Sequence, residues 1–135
     1  MKKILIILIC YLLFITGCVK ENNVICAKTV NYETYKNLET IIISYKNKKI
    51  TGLVNNMDYV FTDEETAKNN FEWINVTTEI LKSLDYEVSI KQEENVIFVK
   101  AVANMKSSNF TEFDIDIDNY NSYVEVLENN GYICE

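Results

Sequence analysis

Ile50-Thr-Gly-Leu-Val-Asn-Asn-Met-Asp-Tyr-Val-Phe61 runs straight into Thr62-Asp-Glu-Glu65 and then Ala67, Phe71 and Ile74, and across this stretch the hydrophobic period changes. In its first half Leu53, Met57, Tyr59 and Phe61 share one face at period two, the signature of a strand buried on one side. Gly52 interrupts that strand and marks an expected bulge. Thr62-Asp63-Glu64-Glu65 reads as a capping box. The Thr62 hydroxyl is expected on the Glu65 amide, with the Glu65 side chain reaching back. The acids of this first turn face the positive end of the helix dipole. Ala67, Phe71, Ile74, Thr78 and Leu81 then recur every three or four residues, joined by Trp73, Ile80 and Leu84, which predicts a helix of about 20 residues.

Working outward, Val24 to Val30 and Leu38 to Tyr45 are β-rich, with Ile41, Ile43 and Tyr45 on one side of the second strand. Lys46-Asn47-Lys48-Lys49 is the turn that leads into Ile50. Downstream, Tyr86, Val88 and Ile90 alternate with Glu87, Ser89 and Lys91, and Gln92-Glu93-Glu94-Asn95 turns the chain. Val96 to Ala103 is apolar on both faces, as a central strand is. Residues 104 to 117 show no clear period. A second helix is expected from Asn119 to Asn130, with Tyr120, Tyr123, Val124 and Leu127 on one stripe, Asp118 as N-cap and Gly131 as left-handed C-cap. The order βββαββα predicts an α+β fold, an antiparallel sheet of about five strands packed by two helices. Most of the nine tyrosines and Trp73 fall on the apolar stripes and are expected to pack in the core.

A chain of 135 residues fits one domain. Acidic residues outnumber basic ones 20 to 13, a surface that repels phosphate backbones, so nucleic acid is not expected as a partner. Lys2 and Lys3 precede a nearly unbroken apolar run from Ile4 to Ile15, the layout of a signal peptide. The run is shorter than the ~20 residues of a membrane-spanning helix. Ile15-Thr16-Gly17-Cys18 resembles the lipobox of bacterial lipoproteins. That resemblance implies a signal peptide over residues 1–17, cleavage before Cys18, and diacylglyceryl and fatty-acyl chains such as palmitate on Cys18. Residues 18–23 then form a lipidated tether and residues 24–135 a single domain. The protein is expected on the outer face of the cell membrane, with the lipid bilayer as its partner. Two or more acyl chains anchor stably where one binds only reversibly.

Processing of this kind leaves Cys26 and Cys134. In an oxidising compartment they are a candidate disulfide. Two free buried thiols and metal ligation are the alternatives; zinc sites normally recruit four ligands, and the chain has no His and no CxxC.

Val24-Ile-Cys26, the segment Tyr59-Val-Phe-Thr-Asp-Glu-Glu-Thr-Ala-Lys68 and the ending Leu127-Glu-Asn-Asn-Gly-Tyr-Ile-Cys-Glu135 resemble the YehR-like small lipoproteins of low-GC Gram-positive bacteria. The similarity covers nearly the whole mature chain through short motifs. It implies that Cys26 and Cys134 are the two family cysteines and Gly131 the helix-ending glycine. Residues 104 to 122 depart from the family pattern in being rich in Asn and Tyr. The family has no established activity, so the resemblance bears on fold and location.

Asp114, Asp116, Asp118 and Glu125 match the ligand spacing of an EF-hand calcium loop, with Asn119 where glycine is usual. Asn121 stands at an apolar position of that loop and Ser107 to Phe113 is a poor helix, so an acidic segment leading into the last helix is the preferred reading. No metal and no cofactor are expected. Without His, a Ser or Cys nucleophile lacks its usual base, and no catalytic residue is assigned. The resulting expectation is a surface-anchored binding or interaction module of unknown ligand, not an enzyme. The alternatives are a structural envelope protein without a small ligand and a hydrolase that works through paired carboxylates.

Overall fold

The computed structural model describes residues 20–107, 110 and 115–135. Its elements are β1 (Asn22–Asn31), β2 (Tyr35–Lys46), β3 (Lys49–Phe61), α1 (Glu64–Ser83), β4 (Tyr86–Glu93), β5 (Val96–Ala103), α2 (Tyr120–Asn129) and β6 (Ile133–Cys134). Every neighbouring pair is antiparallel, in the order β4-β5-β3-β2-β1-β6. The α+β expectation holds, with a short sixth strand that two residues, Ile133 and Cys134, were too few to announce.

Local chemistry explains the joins. Asn47 and Lys48 both have positive φ, 51° and 72°, the pair of left-handed residues that lets a two-residue turn follow strand twist. Opposite Ser44 and Tyr45 the register shifts at Gly52 and Ile50, so Thr51 is the extra residue of a bulge beside Gly52. The bulge reverses the facing of Ile50, which is buried although it precedes Leu53 by an odd number of residues.

Both helix starts differ from the sequence expectation. The N-cap of α1 is Asp63 rather than Thr62: its carboxylate accepts the Thr66 amide at 2.7 Å, and Thr62 only donates to Asp63. A carboxylate at this position meets both the free amides and the helix dipole, which a hydroxyl does less well. The N-cap of α2 is Asn119 rather than Asp118; it makes no side-chain cap bond, its Nδ2 donating instead to Ser122 Oγ at 3.1 Å, and Asp118 lies 3.5 Å from Lys49. The end of α2 follows expectation. Gly131, at φ 88°, closes a Schellman motif in which the Tyr132 amide reaches Leu127 O at 3.1 Å and the Gly131 amide reaches Glu128 O at 3.0 Å.

Two cores form on one side of the sheet. One gathers Cys26, Ile41, Ile43, Leu53 and Ala103 under Tyr123 and Leu127 of α2, with Phe110 and Ile115. The other gathers Phe61, Ile97 and Val99 under Ala67 and Ile74 of α1. The strand residues of both sets share a single face.

Two stability outcomes follow. Ile43→Ala, at a fully buried position, should cost about 2 to 5 kcal/mol in urea unfolding. Hydrogen bonds from the Thr66 amide hold the Asp63 carboxyl below the usual range, so its stabilising effect exists above the unfolded carboxyl value and fades as pH falls through the folded one. Thermal melts of Asp63→Ala should accordingly lie below those of the parent at pH 7 and converge with them as the medium is acidified below pH ~4.

Candidate functional site

Strand alternation gives the sheet two faces, and among the described residues only one is covered by helices. The opposite face carries aligned rows: Ile25, Ile42, Val54 and Val102; then Ala27, Thr40, Asn56, Lys100 and Ser89; then Thr29, Leu38, Asp58, Phe98 and Lys91. None of these residues belongs to either core. Val96 to Ala103 is apolar on both sides, as expected for a central strand, yet its second side faces no layer among the described residues; Phe98 and Val102 are half-buried there and Lys100 is exposed.

A depression of about 520 Å³ lies on this open face, lined by Thr40, Asn56, Asp58, Ser89, Lys91, Phe98 and Lys100. Lys91 sets its ammonium 5.2 Å from the centre of the Phe98 ring and 2.7 Å from Glu93. Asp58 makes no hydrogen bond or ion pair among the described residues, and partial burial raises its carboxyl above the usual value. The depression therefore offers one unsatisfied carboxylate, two ammonium groups and an aromatic surface, an arrangement suited to holding a ligand with both signs of charge beside an apolar part.

The covered face holds a second polar group, at the seam between the cores. Glu39 accepts Asn55 Nδ2 at 2.9 Å and the Tyr132 hydroxyl. Burial first, and then that donated bond, push the Tyr132 hydroxyl far above its ordinary value; Tyr123 is raised by burial and by the charges of Tyr86 and Glu39. The Oδ1 atoms of Asn37 and Asn55 are buried there without a partner among the described residues. Glu39 pairs in register with Met57 and Asp58 with Leu38, so the two sheltered carboxylates point to opposite faces and do not form one pair. The aromatic residues also divide. Tyr35, Tyr59 and Phe61 pack together, while Tyr32 and Trp73 contact Tyr35 and remain about half exposed, at 52% and 50%. Trp73 and Ile80 thus fall outside the core they were expected to join.

The assigned cysteines separate. Cys18 lies outside the described residues. Cys26 and Cys134 face each other across β1 and β6 with their sulfurs 2.04 Å apart, at disulfide distance. The acidic candidates are not gathered: Asp114 lies outside the described residues, Asp116 accepts the Asp118 amide, Asp118 faces Lys49, and Glu125 is exposed on α2. Among the described residues no three potential ligands converge on a metal position. None of the open-face residues was singled out from sequence; the available signal was Val96–Ala103, apolar on both faces in a domain whose sequence predicts two helices.

No family model, curated protein or solved structure matches the chain. Its class rests on the fold: an α+β domain with a six-stranded antiparallel sheet covered on one face.

Two substitutions probe the two faces. Tyr132→Phe should lose about 1 to 3 kcal/mol in urea unfolding, since it strips a donor from a sheltered carboxylate. Asp58→Asn should act in the opposite sense. An acid with a raised folded pKa favours folding only in its protonated form, so it contributes below the unfolded value and costs stability once pH has risen through the folded one. The Asn variant should therefore melt at or above the parent at pH 7, and its advantage should vanish at pH 3.

Proposed function

We propose that the chain is a lipoprotein held on the outer face of the cell membrane by acyl chains on Cys18, and that its open sheet face is a binding surface for a peptide-like ligand. The observation that carries the binding reading is the depression of about 520 Å³ in which Asp58, Lys91, Lys100 and Phe98 meet without a covering layer. The anchor reading is supported by Lys2, Lys3, the apolar run to Ile15 and the sequence Ile15-Thr-Gly-Cys18. Among the described residues no helix is long and apolar enough to cross a membrane. Cys26 in a strand and the ending Gly131-Tyr-Ile-Cys134 support membership of the YehR-like lipoproteins. On this reading the Cys26–Cys134 pair is an oxidised bridge in the exported protein. It closes a sequence separation of 108 residues, a loop long enough for a cross-link to contribute about 4 to 5 kcal/mol.

The parts of the proposal are testable separately. Cells expressing the full-length chain should incorporate labelled palmitate into the parent and not into Cys18→Ser, which should leave the membrane fraction; equal labelling of both would sink the anchor. For the surface, the detergent-purified parent should bind a fluorescent pool of short mixed-charge peptides saturably. Asp58→Lys or Lys100→Glu should weaken that binding about tenfold, the loss of one charge-assisted contact. Failure of the parent to bind would overturn the peptide reading whatever the outcome at Cys18.

A further inference from the structure

We propose that two copies of this chain pair antiparallel along β4, joining their sheets about a two-fold axis at Ser89. The two edges of the sheet are built differently. The β6 edge consists of two residues, whereas β4 is eight residues long and has β5 as its one neighbour strand among the described residues. An edge of that length is usually protected by Pro, charged side chains, a bulge or an inward-pointing charge; here the charges, Glu87, Lys91 and Glu93, are of both signs and can complement a second copy. The chain has no Pro, the β4–β5 register runs unbroken from Tyr86 opposite Ala103 to Glu93 opposite Val96, and the side chains of Val88 and Ile90 face the covered side.

The hydrogen-bond phase of this edge follows from its neighbours. The Phe61 amide bonds Asn95 O at 2.9 Å, which assigns the odd residues of β5 to β3 and its even residues to β4. The Asn104 amide bonds Asp85 O at 3.4 Å, in agreement. Odd residues of β4 are thereby turned to β5, and the amides and carbonyls of Val88, Ile90 and Gln92 are turned outward.

A two-fold pairing must then match even residues with even residues. Centred on Ser89, it sets Val88 opposite Ile90 of the second copy on the covered side. On the open side it sets Glu87 opposite Lys91 of the second copy, twice over, with Glu93 at the strand end falling opposite the turn residue Asp85. Moving the centre to Ile90 brings Glu87 opposite a second Glu93; moving it to Val88 leaves Glu87 opposite Ser89 and puts Lys91 opposite Asp85, a turn residue at φ 65° that already accepts the Ser107 hydroxyl. Among the residues of β4 itself, cross-strand charge complementarity therefore selects this register and a second copy as the occupant.

Ser89 would sit in a pair without main-chain bonds, where opposing Cα atoms approach to about 4.5 Å, within disulfide reach. The full-length Ser89→Cys chain, treated in cells with a mild oxidant, should give a non-reducible-by-dilution but thiol-sensitive dimer on gels. Its yield should be about tenfold above Glu125→Cys, an exposed control on α2. Adding Lys91→Glu, which sets like charges opposite Glu87, should lower the yield about tenfold, and adding Glu87→Lys as well should restore it. Dimer at the level of the Glu125→Cys control overturns the pairing, and so does a yield indifferent to the charge reversal or not restored by the double exchange. Sedimentation of the detergent-solubilised parent gives a second reading: a dimer mass supports the pairing, and a monomer at the concentrations used for cross-linking overturns it.

Discussion

A six-stranded sheet with two helices to cover it has material for only one buried face, and this constraint shapes the rest of the molecule. Period-two alternation sends Cys26, Ile41, Ile43, Leu53, Ile97 and Val99 to the same side. Both described helices are committed there, and among the described residues the other side has no covering layer. At about 25 cal/mol per Å² of apolar surface, the covered side supplies the driving force for folding, and no second apolar layer lies on the other side among the described residues. The open face is thus a consequence of chain length and element count before it is a binding surface.

Covering one face with two separate helices also creates the seam. Between the cluster under α1 and the cluster under α2, the residues found are Asn37, Glu39, Asn55 and tyrosines. A carboxylate in such a place is tolerated because Asn55 and Tyr132 donate to it. The bond from Tyr132 crosses from the segment after α2 to β2, and two residues later Cys134 meets Cys26 on β1. The carboxyl end of the chain is consequently tied to the sheet at successive points rather than by α2 packing alone.

Elements whose period was long and regular could be read before the structure. Tyr86 to Lys91 alternated cleanly, and the β3-to-α1 transition was legible because the apolar spacing changed within a few residues. Gly131 was readable because few residues other than glycine accept φ 88°. The misreadings have physical causes. Thr62 and Asp63 are adjacent capping residues, and only the backbone geometry decides which one caps. Trp73 and Ile80 sit on the flank of a helical stripe, where a small angular difference separates core from surface. The open-face depression was illegible since Asp58, Lys91 and Lys100 come from three strands whose order could not be deduced from spacing.

The two sheet edges show how topology converts local sequence into assembly potential. The β1 edge is closed within the chain: the Ile25 and Glu135 main chains exchange bonds at 2.8 and 2.9 Å, and Cys134 lies against Cys26. The β4 edge has no comparable closing segment among the described residues, where the chain passes from β4 through β5 into the interior of the sheet. A molecule whose ends are spent on one edge leaves the other to be managed by side chains. There the alternation of Glu87, Ser89, Lys91 and Glu93 discriminates between registers, disfavouring those that bring like charges together.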